Sequence, residues 1–470
     1  MNNSRRNFLK LTGLASLAGG SGLFSNRSEK KPFVHTHQQR FNMYGYAAPK
    51  LDVVRVGVIG LGNRGSGTII RYAGIEGVEI KAICDLEPDR VSKAKEALKE
   101  YNQDPVGYSG GENEWKKLCD RNDIDLVCIV TPWHLHTIQS VYAMENDKHV
   151  FVELPAANTI EECWQLVETS ERTRKHCMQM SSSCHYGSAA VVLNMVRQGL
   201  FGEIIHGEGG YIHDLLNDYN FTKDTYHNLW RLKENIGRHG NLYPQHGLTP
   251  ICQMMDINCG DKMDYMVSMQ SDDFMMREKA KELAAQDDFW KPYVGKDYRG
   301  NINTTTIRTN KGRTIVIQHD VTTPRPGIRF DLISGTEGTY QARPDRIGFS
   351  YRDGWIPEEE LNELMEKYKP KITRLFNELV NEAQSARQDR SYARVNATDW
   401  RLIDCLRNGL PVEMNVYDAA TSSSVIPLSE WSVANRSNAV DVPDFTNGAW
   451  KTNKPGMDVE ITKGGTTKLV

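Results

Sequence analysis

The chain has 470 residues, 39% of them hydrophobic and 25% charged, the balance of a soluble globular protein large enough for two domains and not of a disordered or fibrous one. A formal net charge of -3 at pH 7, with no dense Lys/Arg run, argues against a nucleic-acid partner. The nine cysteines are odd in number and scattered, without a Cys-x-x-Cys pair, so most read as small buried hydrophobes rather than a disulfide framework.

At the N-terminus, Ser4-Arg5-Arg6-Asn7-Phe8-Leu9-Lys10 precedes a mildly apolar, small-residue stretch from Leu11 to Phe24. Paired arginines before a short apolar region read as a twin-arginine export signal over residues 1–30, which places the protein in the periplasm or cell envelope. The apolar part falls short of the ~20 residues that span a bilayer, so no membrane span is expected. Residues 31–50 are polar and aperiodic and read as a linker.

From residue 51 the pattern changes. Val54 to Ile59 and Val78 to Cys84 are short β-branched runs, and Asp125 to Val130 and His149 to Val152 add two more. Helical segments are expected between them: one through Arg71, one over Pro88 to Tyr101 and one over His134 to Glu145. Strands alternating with helices predict an α/β fold, a doubly wound parallel Rossmann sheet over residues 51–178. Gly60-Leu61-Gly62-Asn63-Arg64-Gly65 follows the first strand and opens a helix. The first glycine allows a tight turn, the second lets the backbone approach a pyrophosphate, and the third permits close helix–strand packing, with the helix N-terminus facing the anion. Asp85 ends the second strand, 20 residues after Gly65, where a carboxylate binds the ribose hydroxyls of NAD and disfavours the 2′-phosphate of NADP. Thr131-Pro132-Trp133-His134-Leu135-His136 follows the next strand at the ligand-binding edge. His134 and His136 have no carboxylate or cysteine cluster beside them, so they read as cofactor-loop residues and no metal is expected.

Thr159 and Glu162 form a capping-box pair that opens a helix through about Arg174. Beyond residue 180, Thr304 to Arg308, the turn Asn310-Lys311-Gly312 and Thr314 to Gln318 read as a hairpin. A C-terminal α+β domain with a largely antiparallel open sheet is expected over residues 179–470, carrying the substrate. Pro357 to Glu382 reads as a charged, solvated helix. Tyr243 and His246 lie three apart beside Pro244 and Gly247, at a loop or helix start, and suit proton transfer next to a carbonyl.

The order of these elements resembles the Gfo/Idh/MocA family of NAD(P)-dependent sugar oxidoreductases. Members commonly carry Glu-Lys-Pro where this chain has Glu153-Leu154-Pro155, and Leu154 cannot transfer a proton. A fuller resemblance, to glycoside hydrolase family 109, rests on TIEECW (Thr159 to Trp164), LNMVRQGLFGE (Leu193 to Glu203), GGYIHDL (Gly209 to Leu215), Trp230-Arg231, NLYPQHG (Asn241 to Gly247) and DFTNGAWK (Asp444 to Lys451). That family's characterised activity is an α-N-acetylgalactosaminidase with bound NAD. The resemblance implies NAD contacts at Asn63, Arg64, Asp85, Trp133, His134, Leu135, His136, Glu153, Leu154, Ser182 and Arg231, extending over Tyr243, Pro244, Gln245 and His246. It implies substrate contacts at Tyr211, His213 and Tyr243, and catalytic roles for Tyr243, His246 and the His185/Tyr186 pair. Departures fall on the substrate side: Ser182 stands for the family's Asn, His185 for a Tyr, Gly327 for a substrate-contacting Tyr, and Arg394 to Asp399 for a His-Gly-Gly-Met-Asp stretch.

The expected reaction is a redox-assisted glycosidase: transient oxidation at C3, loss of the C2 proton to a base in the Tyr243 or Tyr186 region, elimination with His246 as acid or hydroxyl-polarising group, hydration and re-reduction. It consumes no net redox equivalent, which agrees with an exported enzyme carrying its own NAD. The alternatives are a sugar or cyclitol oxidoreductase with net electron transfer, or a non-catalytic sugar-binding protein. The partner is a small-molecule glycoside; a homo-oligomer stays open.

Overall fold

The structure, a computed structural model, describes residues 33–185, 187–387 and 395–470; the export-signal reading over residues 1–30 lies outside the described residues. β1 (Val54–Ile59), β2 (Val78–Cys84), β3 (Val106–Tyr108), β4 (Leu126–Ile129), β5 (His149–Val152) and β6 (Cys177–Gln179) form a parallel sheet in the order 3-2-1-4-5-6. All four residues of β4 and of β5 are buried, as expected of strands covered on both faces. The helix Ile160–Thr173 has its capping box: Glu162 N–H donates to Thr159 Oγ1 at 3.1 Å, and Thr159 N–H to Glu162 Oε2 at 3.2 Å.

The second sheet has eight strands: β7 (Ile204–Ile212), β8 (Met263–Gln270), β9 (Ile302–Thr309), β10 (Thr314–Asp320), β11 (Ile328–Gly335), β12 (Gly338–Gln341), β13 (Arg346–Phe349) and β14 (Val440–Asp441), in the order 13-12-11-7-10-9-8-14. Every pair is antiparallel except β7 with β10, and the expected hairpin is β9–β10. The helix Gln245–Met254 lies on β7 and β11 at backbone contact. A Cβ at Gly247 would sit 2.2 Å from the Gly210 amide nitrogen and 2.9 Å from the Arg329 carbonyl oxygen, so only glycine admits this approach.

Three local expectations change. The helical stretch from Pro357 is two helices, Glu358–Lys367 and Lys371–Arg387, parted at Lys369-Pro370, because the residue before proline leaves the helical region. Residues 35–50 are packed rather than a free linker. Arg40 N–H donates to Glu171 at 3.0 Å, Met43 N–H to the Tyr417 hydroxyl at 3.2 Å, and Ala47 bridges Pro411. Met43 is 2% exposed; apolar residues among polar ones gave this segment a core contact that period alone does not reveal. The chain also returns to the first domain. The helix Ala397–Asn408 lies on β1 and on the helix Gly65–Ala73, with Arg71 paired to Asp399 at 2.5 Å. All nine cysteines are buried and unpaired. Among the described residues no helix is long and apolar enough to cross a membrane.

Candidate active site

A cavity of about 790 Å3 lies along the carboxyl ends of β1, β2, β4 and β5, faced by residues of β7, β11 and the start of the helix Gln245–Met254. This is the edge at which open parallel sheets bind ligands. Gly60 has φ +94°, and a Cβ there would lie 2.6 Å from the Val130 carbonyl oxygen. At Gly65 it would lie 1.8 Å from the Gly60 carbonyl oxygen. Gly65 is thus behind the wall, and its bareness seats the helix against the turn; a side chain at either position would close the cradle that a pyrophosphate needs. Asp85 accepts from Leu61 N–H at 2.6 Å and Glu87 N–H at 2.9 Å, with Arg90 Nη1 at 3.5 Å. Arg64 Nε donates to Glu153 Oε1 at 3.0 Å, and Glu153 Oε2 accepts from Leu154 N–H at 3.0 Å. The His136 ring joins two loops, its nitrogens each 2.7 Å from the carbonyl oxygens of Thr131 and Pro155. Trp133, His134 and Leu135 complete this wall with Gly62, Asn63 and Leu154.

The opposite end of the cavity is aromatic and cationic. Tyr243 stacks on Trp133, with centroids 5.2 Å apart at 15°, and stands edge-on to Tyr211 at 4.7 Å. His246 stacks on Tyr211 at 5.1 Å, and its Nδ1 lies 3.3 Å from Ser183 Oγ. The Arg231 guanidinium is 5.2 Å from the Trp133 ring and 5.4 Å from Tyr243; that of Arg329 is 4.2 Å from Tyr211. Among the described residues neither arginine pairs with a carboxylate. Among the described residues, no acidic residue of the second domain lines the cavity. Burial pushes the Tyr243 phenol well above its usual range, with the Glu153 charge adding and Arg231 and Arg64 opposing. Burial also pushes His246 well below 6.5, and the charges of Arg329, Arg64 and Arg231 push the same way. His213 lines the cavity and shifts down for the same first reason.

Four expected site residues stand off this wall. His185 is buried between Glu413 Oε2 at 2.8 Å and Thr398 Oγ1 at 3.0 Å, drawn there by a carboxylate that also holds Arg401. Ser182 opens the turn Ser182–Cys184, from which Ser183 is the residue that reaches His246. Gln245 is fully buried; one residue from His246 on the same helix, it points about 100° away. Pro244 caps that helix. Tyr186 lies outside the described residues. The sequence reading missed Arg329, Tyr219, Tyr226 and Trp230, all on the wall. The signal for Arg329 was an arginine between Ile328 and Phe330 in a strand; for the others, a run dense in aromatics over residues 219–230.

A dinucleotide cradle facing an aromatic, cationic end belongs to an enzyme of the NAD-binding, two-domain oxidoreductase type. Residues 54–181 match the model of the oxidoreductase family with an NAD-binding Rossmann fold, and residues 187–452 match that of the glycosyl hydrolase 109 C-terminal domain. An α-N-acetylgalactosaminidase of Bacteroides fragilis is 46% identical over 417 residues, 87% of this chain and 96% of that one. Among solved structures, an NAD binding oxidoreductase from Klebsiella pneumoniae aligns with TM-score 0.61 at 16% identity, over 84% of this chain and all of that one. A myo-inositol dehydrogenase from Lactobacillus casei, solved with NAD(H) and myo-inositol, aligns with TM-score 0.55 at 16% identity, over 84% and 99%. The chain belongs to glycosyl hydrolase family 109.

Proposed function

We propose that this chain cleaves an α-N-acetylgalactosaminide or a related glycoside with NAD held in the cavity, by transient oxidation, elimination, hydration and re-reduction. One observation supports it most: among the described residues the second domain's side of the cavity carries two guanidiniums without carboxylate partners and no acidic residue, and the Glu153 carboxylate on the facing side is held by Arg64. The usual glycosidase flanks an oxocarbenium-like transition state with a pair of carboxylates. Two arginines oppose that positive charge and stabilise a negative one, as donors aimed at a developing oxyanion do. NAD, when bound, supplies the reversible oxidation of a sugar hydroxyl carbon, which acidifies the neighbouring C–H bond.

The chain's own groups then divide the proton work. His246 is neutral in its surroundings, and in the tautomer whose Nδ1–H donates to Ser183 Oγ its Nε2 is left to accept a proton. Tyr243 stays a protonated phenol and donates. This division differs from the expectation of a base in the Tyr243 or Tyr186 region with His246 as acid or hydroxyl-polarising group, because burial acts on the charged form of each side chain, raising a phenol and lowering an imidazole. Arg231 and Arg329 hold the negative charge on the sugar oxygen between the two transfers. Gly60, Gly62 and the helix start fit the pyrophosphate, and Asp85 the ribose hydroxyls. Leu154, 1% exposed in an apolar cluster with Trp133, Tyr211 and Tyr243, offers no proton where a dehydrogenase of this superfamily would carry lysine. The paired arginines at residues 5–6 belong to the same reading: a redox-neutral cycle suits an exported enzyme that keeps its cofactor.

The test is to strip and restore NAD and assay aryl α- and β-glycosides, N-acetylgalactosaminides included, with NADH absorbance followed alongside. Aglycone release that needs NAD but accumulates no NADH is expected. NADH accumulation without bond cleavage would place the chain among the dehydrogenases instead.

A further inference from the structure

The chain that leaves β7 crosses to the rim of the glycine turn before it reaches the helix Trp230–Lys233, and it touches the first domain at three separate points. Asn63, next to Gly62, donates from Nδ2 to the Thr225 carbonyl at 2.9 Å. His227 Nδ1 lies 3.4 Å from Glu87 Oε1, two residues past Asp85. Trp230 stands edge-on to Trp133, with centroids 5.4 Å apart at 68°. One contact is at the pyrophosphate turn, one at the ribose end, and one at the loop after β4. Thr225, His227 and Asn228 themselves line the cavity. We propose that residues 222–230 are a strap that forms the outer wall of the dinucleotide site and retains the cofactor from one turnover to the next, which rests on the NAD-dependent reading above.

A dinucleotide laid on the open edge of a parallel sheet is walled on one side only; a segment across the other side makes its departure wait on that segment's opening. The strap is built to move as a piece. Tyr219, Tyr226 and Trp230 form a ladder, with centroids 6.1 Å and 5.0 Å apart, that keeps its shape. Lys223 anchors the far side, paired with Asp287 and 4.4 Å over the Phe289 ring. At the near end Asn228 and Leu229 take φ +52° and +51° in succession, a left-handed pair that is unfavourable for leucine and marks where the backbone reverses. The contacts across the cleft are, by contrast, few; His227 is exposed, Glu87 is half-buried, and the side chains of both reach solvent. Exposed ion pairs are weak, so the strap opens without unfolding either domain: release is slowed, not blocked.

The experiment uses the full chain loaded with NAD. NAD release is timed by trapping after gel filtration, for the wild type, His227→Ala and Trp230→Ala. Loss of the exposed pair should speed release by about threefold, and loss of the aromatic contact by about tenfold, with the melting temperature of His227→Ala unchanged. Amide exchange over residues 219–230 of the unaltered chain, stripped and then reloaded with NAD, covers the case in which Trp230→Ala disturbs the fold; protection should rise on loading. Release from both variants at the wild-type rate, or exchange indifferent to NAD, would overturn the strap. If the unaltered chain takes up no NAD at all, the NAD-dependent reading falls and the strap with it; if it does take it up and the variants hold it equally, the strap alone falls.

Discussion

Tyr243 and His246 sit 5.0 Å apart, ring to ring, yet their surroundings set opposite protonation demands. Because His246 is held well below 6.5 by burial and three guanidiniums, it is neutral at physiological pH and stays so into mildly acidic solution. The acid limb of kcat/KM should therefore lie well under pH 6.5; a limb at or above 6.5 would show that His246 works as the charged acid. Tyr243→Phe and His246→Ala should each lower kcat by ~10²–10⁴, the usual worth of a positioned acid or base, while NAD stays bound. Arg329→Ala should cost ~10²–10³ in kcat, with KM changed less, as for other donors removed from a developing oxyanion. Near-normal turnover in Arg329→Ala would remove the main support for an anionic transition state. The protonation of both depends on neighbours distant in sequence, Arg329 for His246 and Glu153 for Tyr243, which residue type alone does not reveal.

Glycines decide how close two elements come, and two substitutions separate that role from intrinsic propensity. Gly247→Ala drives a methyl into Gly210 and the Arg329 carbonyl; overpacking of this kind costs ~1–3 kcal/mol, and it should also lower kcat because it displaces the helix that carries His246. Gly67→Ala, inside the helix Gly65–Ala73 with nothing nearer than Arg71 Nη1 at 3.5 Å, should instead stabilise by ~0.5–1 kcal/mol. Thermal melts of both variants check the contrast, and equal melting temperatures would contradict it. The glycine turn, the capping box at Thr159 and the β9–β10 hairpin were legible because each is local: a few residues carry the backbone requirement. The break at Pro370 is not legible in the same way, although the proline that makes it is local: the charged periodicity masks it, so Pro357 to Glu382 reads as one helix in sequence and is two in the fold.

Across the whole molecule, buried histidines set the response to acid. His149 is pushed down to about 3, and His176, His246 and His319 well below 6.5, all by burial first. Each binds a proton in the unfolded chain below about 6.5 and not in the folded one, so stability falls as pH drops through that value, by up to ~1.4 kcal/mol per pH unit per histidine. His136 and His213, lowered by burial, add to the histidine side. Asp418, raised from 3.8 to about 7 by burial, acts in the other direction between those two values. Asp256, Asp331, Asp399 and Glu430, raised by burial first, oppose the histidines just above their ordinary range. Denaturant midpoints should therefore fall as the pH drops from about 6.5 to about 5, where the histidines outnumber Asp418, and a flat profile there would mean that these rings find proton-accepting partners in the fold. Glu413, held down to about 2 by His185 and Arg401 against its burial, adds its loss only below 4.5.

The amino-acid sequence alone determined the parallel sheet, the dinucleotide turn and Asp85, and the antiparallel second domain, since these follow from period, spacing and short motifs; the Tyr243–His246 pair stands out only through the family resemblance of the stretch around it. Tertiary structure decided the rest. Arg329 reaches the cavity only because β11 pairs antiparallel with β7 and lies under the helix that carries His246. His185 leaves the cavity because Glu413, 228 residues away, binds it. The 222–230 segment meets the glycine turn only when both domains are folded. A side chain's chemistry is written in its residue type, but its charge state and reach depend on which distant groups the fold brings within a few ångströms, and no local pattern encodes those.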